Sequence, residues 1–198
     1  NSSHAGRPWL CVTGTNGKTT TVGMLGSILR ASGARVAEVG NIGLPICEAV
    51  DTDAEVFAVE LSSFQLHTVS TVSPLASVCL NVDADHLDWH GSAEAYAADK
   101  AKVYHATQVA CFYPSSDIEI EHMVAEADVI EGARAIGLTL GIPSISQVGW
   151  VEDALVERAF VERRHMQAQF LAEVDDLRIA YHDGVTDAAR MDATAAAG

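Results

Sequence analysis

The stretch WLCVTGTNGKTT, residues 9–20, contains the strongest structural signal in the chain. Its apolar first half, Trp9–Thr13, predicts a short buried strand, and the helix-like residues Lys18–Ala31 follow a glycine turn. Glycines let backbone N–H groups turn inward around phosphate oxygens, and a helix N-terminus adds partial positive charge. The pattern therefore predicts a nucleotide phosphate site built from Gly14, Thr15, Asn16, Gly17, Lys18, Thr19 and Thr20.

Two side chains of this loop have specific predicted roles. Lys18 would reach the β- and γ-phosphates, and the Thr19 hydroxyl would ligate Mg²⁺. The loop departs from a strict Walker A sequence, because Val12 occupies the position of the first glycine. A glycine-rich turn that binds nothing is the alternative interpretation, but Gly-Lys-Thr between a strand and a helix favours a nucleotide.

Outward from the loop, short strands alternate with helices up to about residue 127. The strands have little polar alternation, as expected for strands buried on both faces. The pattern predicts an α/β fold with a doubly wound, mostly parallel sheet. Predicted strands are 34–39, 55–61, 75–82 and 108–113, and predicted helices are 44–50, 92–104 and 117–127.

The last third of the chain has a different pattern. Short strands at Arg134–Leu138, Gln147–Val151 and 155–161 predict a small accessory antiparallel sheet near the C-terminus. Residues 163–171 are compatible with either helix or strand, and the Ala-rich residues 186–197 predict a helix. The 198 residues are expected to form a single domain.

Composition excludes some classes of partner. A formal net charge of −15 argues against nucleic acid and anionic membranes, which need clustered Lys and Arg. No apolar run has the length of a membrane span, and no signal peptide precedes the first strand. The four cysteines form no C-x-x-C pair, and apolar neighbours predict buried free thiols, for which a cytoplasmic location fits best.

Acidic and histidine residues follow two of the predicted strands. Glu60 ends one strand, where a carboxylate is costly unless it is paired or metal-bound, so it could share the Mg²⁺ of Thr19. A strand-end glutamate that faces water is the alternative. Residues 81–90 hold three acids and two histidines, which predict either a second cation site or a solvated acidic turn.

Zinc is not expected at His86 and His90, although these residues are four positions apart. The zinc motif H-E-x-x-H needs a glutamate after its first histidine, whereas Leu87 stands there, and the segment has no convincing helical pattern. Lys100 lies mid-helix, and its spacing alone gives it no special role.

Together these segments resemble the Mur ligase family. Residues 13–20 look like the family's phosphate loop, whose own form explains the missing glycine. Residues 40–45 and 60–66 are similar to segments of the D-glutamate-adding members, and residues 80–88 and 98–104 continue the match in order. The resemblance is strong over about residues 8–113 and implies the central ATP-binding domain of an enzyme with further N-terminal and C-terminal domains.

The resemblance implies roles for individual residues. Two Mg²⁺ ions are expected, the first bound by Thr19 and Glu60 and the second by His86 with Lys100. In this family CO₂ carbamylates that lysine, which turns a cation into an anionic oxygen ligand. Substrate contacts are expected from Asn41, Ser62 and His86.

The implied enzyme is a monomeric, ATP-dependent ligase that adds D-glutamate to UDP-N-acetylmuramoyl-L-alanine through an acyl phosphate. One departure concerns the nucleotide base: where the family often has His-Asn and a later Asn, this chain has His182, Asp183 and Asp187. Alternatives are another amide ligase of the family, such as folylpolyglutamate synthase, and a nucleotide-binding module without ligase activity.

Overall fold

Nine strands form one sheet with the order β2-β3-β1-β4-β5-β6-β7-β8-β9 in the computed structural model, which describes residues 6–177 and 187–198. Strands β1 to β7 are parallel, and β8 and β9 are added antiparallel at the edge. The strands are β1 Trp9–Thr13, β2 Val36–Gly40, β3 Val56–Glu60, β4 Ala76–Cys79, β5 Ala110–Pro114, β6 Arg134–Leu138, β7 Gln147–Val151, β8 Ala154–Glu157 and β9 Gln169–Glu173.

Helices cover both faces of this sheet. The longest, α1, follows β1 directly, and α8 packs against it. A 3₁₀ turn at Lys102–Tyr104 extends α5. The helices are α1 Lys18–Ala31, α2 Ile46–Ala49, α3 Ser63–Thr68, α4 Leu87–His90, α5 Ala93–Ala101, α6 Ile118–Glu126, α7 Val174–Leu177 and α8 Asp187–Ala197. No helix in the described part of the chain is long and apolar enough to cross a membrane.

The side chains of the central strands belong alternately to two hydrophobic cores, one on each face of the sheet, because successive side chains of a strand point to opposite faces. Cys11 and Val59 belong to the core under α3 and α6, whereas Val12 and Ala58 belong to the core under α1 and α8. Both faces are therefore buried, which explains the continuous apolar runs of these strands.

The predicted fold class is confirmed, and the antiparallel strands lie at the C-terminal end as expected. They continue the main sheet, however, and Arg134–Leu138 is a parallel strand of it. The reason is that α6 lies between β5 and β6 and provides the crossover that parallel pairing requires. Residues 163–171, which the sequence left open, contain the start of β9.

Two predicted strand ends were wrong for local reasons, and one short helix was not expected. The strand predicted to reach residue 161 ends at Glu157, whose carboxylate accepts hydrogen bonds from the backbone N–H groups of Ala159 and Phe160 and turns the chain. The strand predicted to reach residue 82 ends at Cys79, after which Asn81 binds the phosphate loop. Residues 87–90 do form one helical turn, α4.

The order of the strands also creates the crevice in which the site lies. From β1 the chain crosses to β2, toward one edge of the sheet. From β3 it crosses to β4, toward the opposite edge, so the winding direction switches between β3 and β1. Ligands of open α/β sheets bind outside the carboxyl ends of strands at such a switch point. The predicted phosphate loop follows β1, and Glu60 is the last residue of β3.

Cysteine burial follows the strands. Cys11, Cys79 and Cys111 are buried free thiols, as predicted, and Cys47 is exposed in α2. Burial raises the pKa of Cys79 to about 12, so this thiol stays protonated at neutral pH.

Candidate active site

The loop between β1 and α1 has the geometry of a phosphate cradle. Gly14 and Gly17 adopt positive φ angles of 152° and 83°, and Gly17 caps α1 in the left-handed conformation. Among the residues that the structure describes, no side chain caps this helix, which leaves the N–H groups of its first turn for a ligand. Lys18 folds over the loop and donates from Nζ to the carbonyl oxygens of Gly14 and Thr15 at 2.8 and 2.9 Å.

Asn81, which follows β4, holds the loop in this shape. Its Oδ1 accepts a hydrogen bond from the N–H of Asn16 at 2.8 Å, and its Nδ2 donates to the Asn16 carbonyl at 3.1 Å. The backbone N–H of Thr15 also donates to the Asn81 carbonyl at 3.0 Å. The cradle is thus preorganised by the neighbouring strand, a role that the sequence did not reveal.

Glu60 lies at the centre of the site. It is 2% exposed, its Oε2 accepts from the Thr19 hydroxyl at 2.9 Å, and its Oε1 accepts from Asn41 Nδ2 at 3.1 Å. No cation pairs with this carboxylate in the described part of the chain. A buried carboxylate with only neutral partners is a strong attractor for a positive ion.

Lys100 lies on α5 and is also 2% exposed. Its Nζ is 4.7 Å from the centre of the Tyr96 ring and forms no hydrogen bond or ion pair within residues 6–177 and 187–198. Burial lowers the pKa of Lys100 from its usual 10.5 to about 8, and the charge of Lys18 acts in the same direction. A substantial neutral fraction of this amine therefore exists near physiological pH.

Tyr96 connects Lys100 to the phosphate loop. Its hydroxyl lies 3.0 Å from Thr15 Oγ1, while its ring faces the lysine amine. Sequence reasoning missed this residue, because a tyrosine inside a helix gives no signal of the loop that it contacts. Another missed residue is Asp192 of α8, whose Oδ1 would lie 2.7 Å from a Cβ atom placed on Gly17.

His86 occupies the start of α4 with a φ of 49°, an uncommon angle for a residue with a side chain. The ring is half-exposed, its Nε2 is 3.5 Å from Asp85 Oδ2, and its centre is 5.0 Å from that of Phe64. The structure thus brings Thr19, Glu60 and Asn41 into direct contact, whereas His86 and Lys100 make contacts with other residues.

The remaining predicted residues divide into two groups. Ser62 caps α3, since its hydroxyl accepts from the N–H of Gln65 and the Gln65 side chain accepts from the Ser62 N–H. Thr20 is exposed in the first turn of α1. His182 and Asp183 lie outside the described residues, as does the side chain of Asp187, the first residue of α8.

Comparison with known proteins agrees with this geometry. The family model for the Mur ligase middle domain matches residues 12–130. The chain belongs to the Mur ligase family. A Mur ligase of Streptomyces coelicolor, UDP-N-acetylmuramoylalanine--D-glutamate ligase, is 58% identical over 172 residues, which are 86% of this chain and 36% of that protein. The ligase of the same name from Leifsonia xyli is 49% identical over 186 residues, 90% of this chain and 36% of that protein.

Solved Mur ligase structures share the fold. MurF from Thermotoga maritima in complex with ADP superposes with a TM-score of 0.61 at 16% identity, covering 96% of this chain and 44% of that one. MurF from Acinetobacter baumannii gives a TM-score of 0.62 at 17% identity, covering 98% and 42%. The chain spans little more than a third of the length of the curated Mur ligases described above.

Proposed function

We propose that this chain is the ATP-binding core of a ligase that adds D-glutamate to UDP-N-acetylmuramoyl-L-alanine in peptidoglycan synthesis. The names of the relatives at 58% and 49% identity support the substrates. The observation that carries the proposal is the contact of Thr19 and Asn41 with the buried Glu60, directly beside the phosphate loop. In this proposal, further domains of the enzyme bind the UDP group and D-glutamate.

The phosphates of ATP would lie against the loop of residues 14–20. The uncapped N–H groups of α1 point into this space, and the Lys18 ammonium would exchange its carbonyl partners for phosphate oxygens. Positive charge at this point offsets the repulsion between a substrate carboxylate and the γ-phosphate. For the adenine base, Asp187 is the proposed contact.

The residues around Glu60 fit a magnesium ion. Hydroxyl, carboxylate and amide oxygens are the donors that Mg²⁺ prefers, and Thr19 and Glu60 offer the first two from atoms 2.9 Å apart. When bound, Mg²⁺ supplies charge neutralisation between the β- and γ-phosphates. Glu60 would hold the ion in place, and Asn41 would keep the carboxylate oriented and face the substrate.

A carbamate on Lys100, together with His86, would bind a second Mg²⁺. The amine is buried and unpaired among the described residues, and its pKa is lowered to about 8, so neutral Nζ is available to attack CO₂. A C–N bond forms, one proton is released, and the product is an anionic oxygen donor. The bare lysine has no such donor, so the carbamate is the form that the proposed site requires.

The reaction follows from these groups. The L-alanine carboxylate attacks the γ-phosphorus, ADP leaves, and an acyl phosphate remains, which the amine of D-glutamate converts into the amide as phosphate departs. His86 and Ser62, at the starts of α4 and α3, would border the substrate. We place this monomeric enzyme in the cytoplasm, where the free thiols of Cys11, Cys79 and Cys111 stay reduced.

A chimera tests the proposal. Residues 9–173 of this chain would replace the matching segment of the Streptomyces coelicolor ligase, and phosphate release would be measured with ATP and UDP-N-acetylmuramoyl-L-alanine. We expect release that depends on D-glutamate and is lost in Lys18→Ala. Release without any acceptor, or with a folate acceptor and L-glutamate in place of the expected pair, would contradict the proposed function.

A further inference from the structure

His67, His90 and Asp99, none of which is assigned to the two magnesium ions, form a cluster on α3, α4 and α5. One potential ligand atom from each residue lies within 4.8 Å of the other two. His67 Nδ1 and His90 Nδ1 are both 2.9 Å from Asp99 Oδ2. From this arrangement we infer that the cluster is a binding site for a transition-metal ion such as Zn²⁺.

Two of the three ligand–ligand distances are close to those that zinc needs, and the two histidine nitrogens lie within 4.8 Å of each other. Tetrahedral Zn²⁺ with metal–ligand bonds of about 2.0–2.1 Å needs ligand atoms roughly 3.3 Å apart. The two nitrogen–oxygen distances would therefore lengthen by only about 0.4 Å, a change that small side-chain rotations provide. Two imidazoles and one carboxylate leave the fourth position to water, on the side where His67 is half-exposed.

His90 is prepared for this role by its second ring nitrogen. Its side chain is fully buried, and its Nε2 lies 3.0 Å from the hydroxyl of Ser63. A histidine that binds a metal through one nitrogen usually donates the N–H of the other to such a partner, which fixes the tautomer. Ser63 can accept that hydrogen bond once the Nδ1 lone pair is directed at an ion.

Aromatic rings and one lysine complete the surroundings. Phe64 stacks on His90 at 5.5 Å, and the ring of Trp89 is 5.0 Å from His67 and 4.5 Å from His90. Lys102 Nζ donates a 2.7 Å hydrogen bond to Oδ1, the other carboxylate oxygen of Asp99. Asp99 would therefore ligate through Oδ2 alone, and the lysine charge would weaken binding rather than create the site.

Sequence spacing could not find this site. The two histidines that are four positions apart are His86 and His90. The ring of His86 lies near Asp85 and Phe64, whereas His90 Nδ1 contacts Asp99 and lies in the same cluster as His67. The new ligand set depends on how three short helices pack.

Metal titration of the full chain tests the inference. After treatment with EDTA, Zn²⁺ affinity would be measured against a chromophoric chelator with Mg²⁺ in excess, and Co²⁺ would report geometry by its visible absorption. We expect one equivalent of each metal and tetrahedral Co²⁺ bands. His67→Gln and Asp99→Asn should weaken affinity at least about tenfold, and Ser63→Ala by about 10–100-fold.

Two further variants distinguish a metal site from a cluster whose side chains are only hydrogen-bonded to one another. His165→Gln, an exposed histidine in another part of the chain, should leave affinity unchanged. Lys102→Met removes the competing charge and should bind Zn²⁺ more tightly. Absence of Zn²⁺ binding, or equal affinity in the wild type and His67→Gln, would overturn the inference. Because the readout is binding alone, failure here leaves the proposed ligase function untouched.

Discussion

The Thr19 hydroxyl donates a 2.9 Å hydrogen bond to Glu60 Oε2 and so joins the first turn of α1 to the end of β3. Two parallel strands that lie side by side bring these groups to one edge of the sheet, with Val12 paired to Glu60 in the register. The contact is between a hydroxyl and a carboxylate that has no cationic partner in the described part of the chain. A magnesium ion bound there would supply the missing positive charge.

Replacing Glu60 by Gln tests this electrostatic imbalance. The substitution removes a buried negative charge, so the metal-free variant should unfold at an equal or higher temperature than the wild type. In the chimera, the same change should lower ATP-dependent turnover at least about 100-fold, because the ion loses its charged ligand. Glu126→Gln, which alters an exposed glutamate on α6, is the matched control. Normal turnover in Glu60→Gln would exclude the carboxylate as a ligand.

Replacing Lys100 by Met should stabilise the unmodified protein while it abolishes any response to CO₂. The pKa of this lysine is about 8 in the fold and 10.5 when unperturbed, so the folded chain binds fewer protons between these values. Stability therefore rises as pH increases through that window, and below it the buried charge destabilises the fold. At pH 7 the Met variant should gain roughly 1–3 kcal/mol.

Chemical unfolding at about pH 7 and pH 10 would measure the Lys100 effect. The stability gain of the Met variant should shrink at the higher pH, where the folded wild-type amine is neutral and the unfolded amine is close to its own pKa of 10.5. Lys102→Met, with a half-exposed lysine, serves as the comparison for loss of a charge near the surface. A destabilised Lys100→Met variant at pH 7 would show that the charged amine has a stabilising partner.

Much of the phosphate loop could be predicted from the sequence, because its signal is local. Residues 14–20 contain both the glycines and the start of the helix. Glu60 ends a strand whose neighbour in the sheet leads into that loop. The α/β pattern is enough to place the carboxyl ends of both strands at one edge. The part of the site that depends on strand ends was therefore predictable.

Residues that arrive from helices were not predictable. Tyr96 reaches Thr15, and Asp192 reaches Gly17, only because α5 and α8 pack in particular orientations on the sheet. The direction of β7 relative to β6 was not predictable either. It runs parallel to β6 although residues 139–146 between them contain no helix, and a short connection usually indicates antiparallel pairing.

Asp192→Asn should stabilise the protein at neutral pH. Burial raises the pKa of this carboxyl from 3.8 to about 6, so the folded chain binds more protons between about pH 4 and 6. Stability conferred by this group falls as pH rises through that window. The Asn variant should gain about 1–2 kcal/mol at pH 7.5, with allowance for partial solvent access, and nothing at pH 4.

Thermal melting of both proteins at pH 4 and pH 7.5 measures the Asp192 effect. Asp153→Asn is a suitable control, because that carboxylate is exposed and pairs with Arg190 at the surface. The substitution should also tighten Mg·ADP binding several-fold, since a negative charge beside Gly17 opposes phosphate. Equal stability of the Asn variant and the wild type at pH 7.5 would show that Asp192 is not strained by burial.

Gly40→Ala should damage both the fold and the Glu60 site, whereas Gly33→Ala should cost only backbone strain. Both glycines have positive φ angles, 119° and 91°. A Cβ atom on Gly33 would meet nothing within 4 Å, but on Gly40 it would overlap the carbonyl oxygen of Glu60, a backbone atom paired in the sheet. Gly33→Ala should therefore lower the free energy of unfolding by about 1 kcal/mol. Gly40→Ala should lower it by about 3 kcal/mol or more and weaken nucleotide binding. Urea unfolding and ADP titration would measure both variants. Equal losses of stability would show that β2 and β3 can move apart to accommodate an added methyl group at little cost.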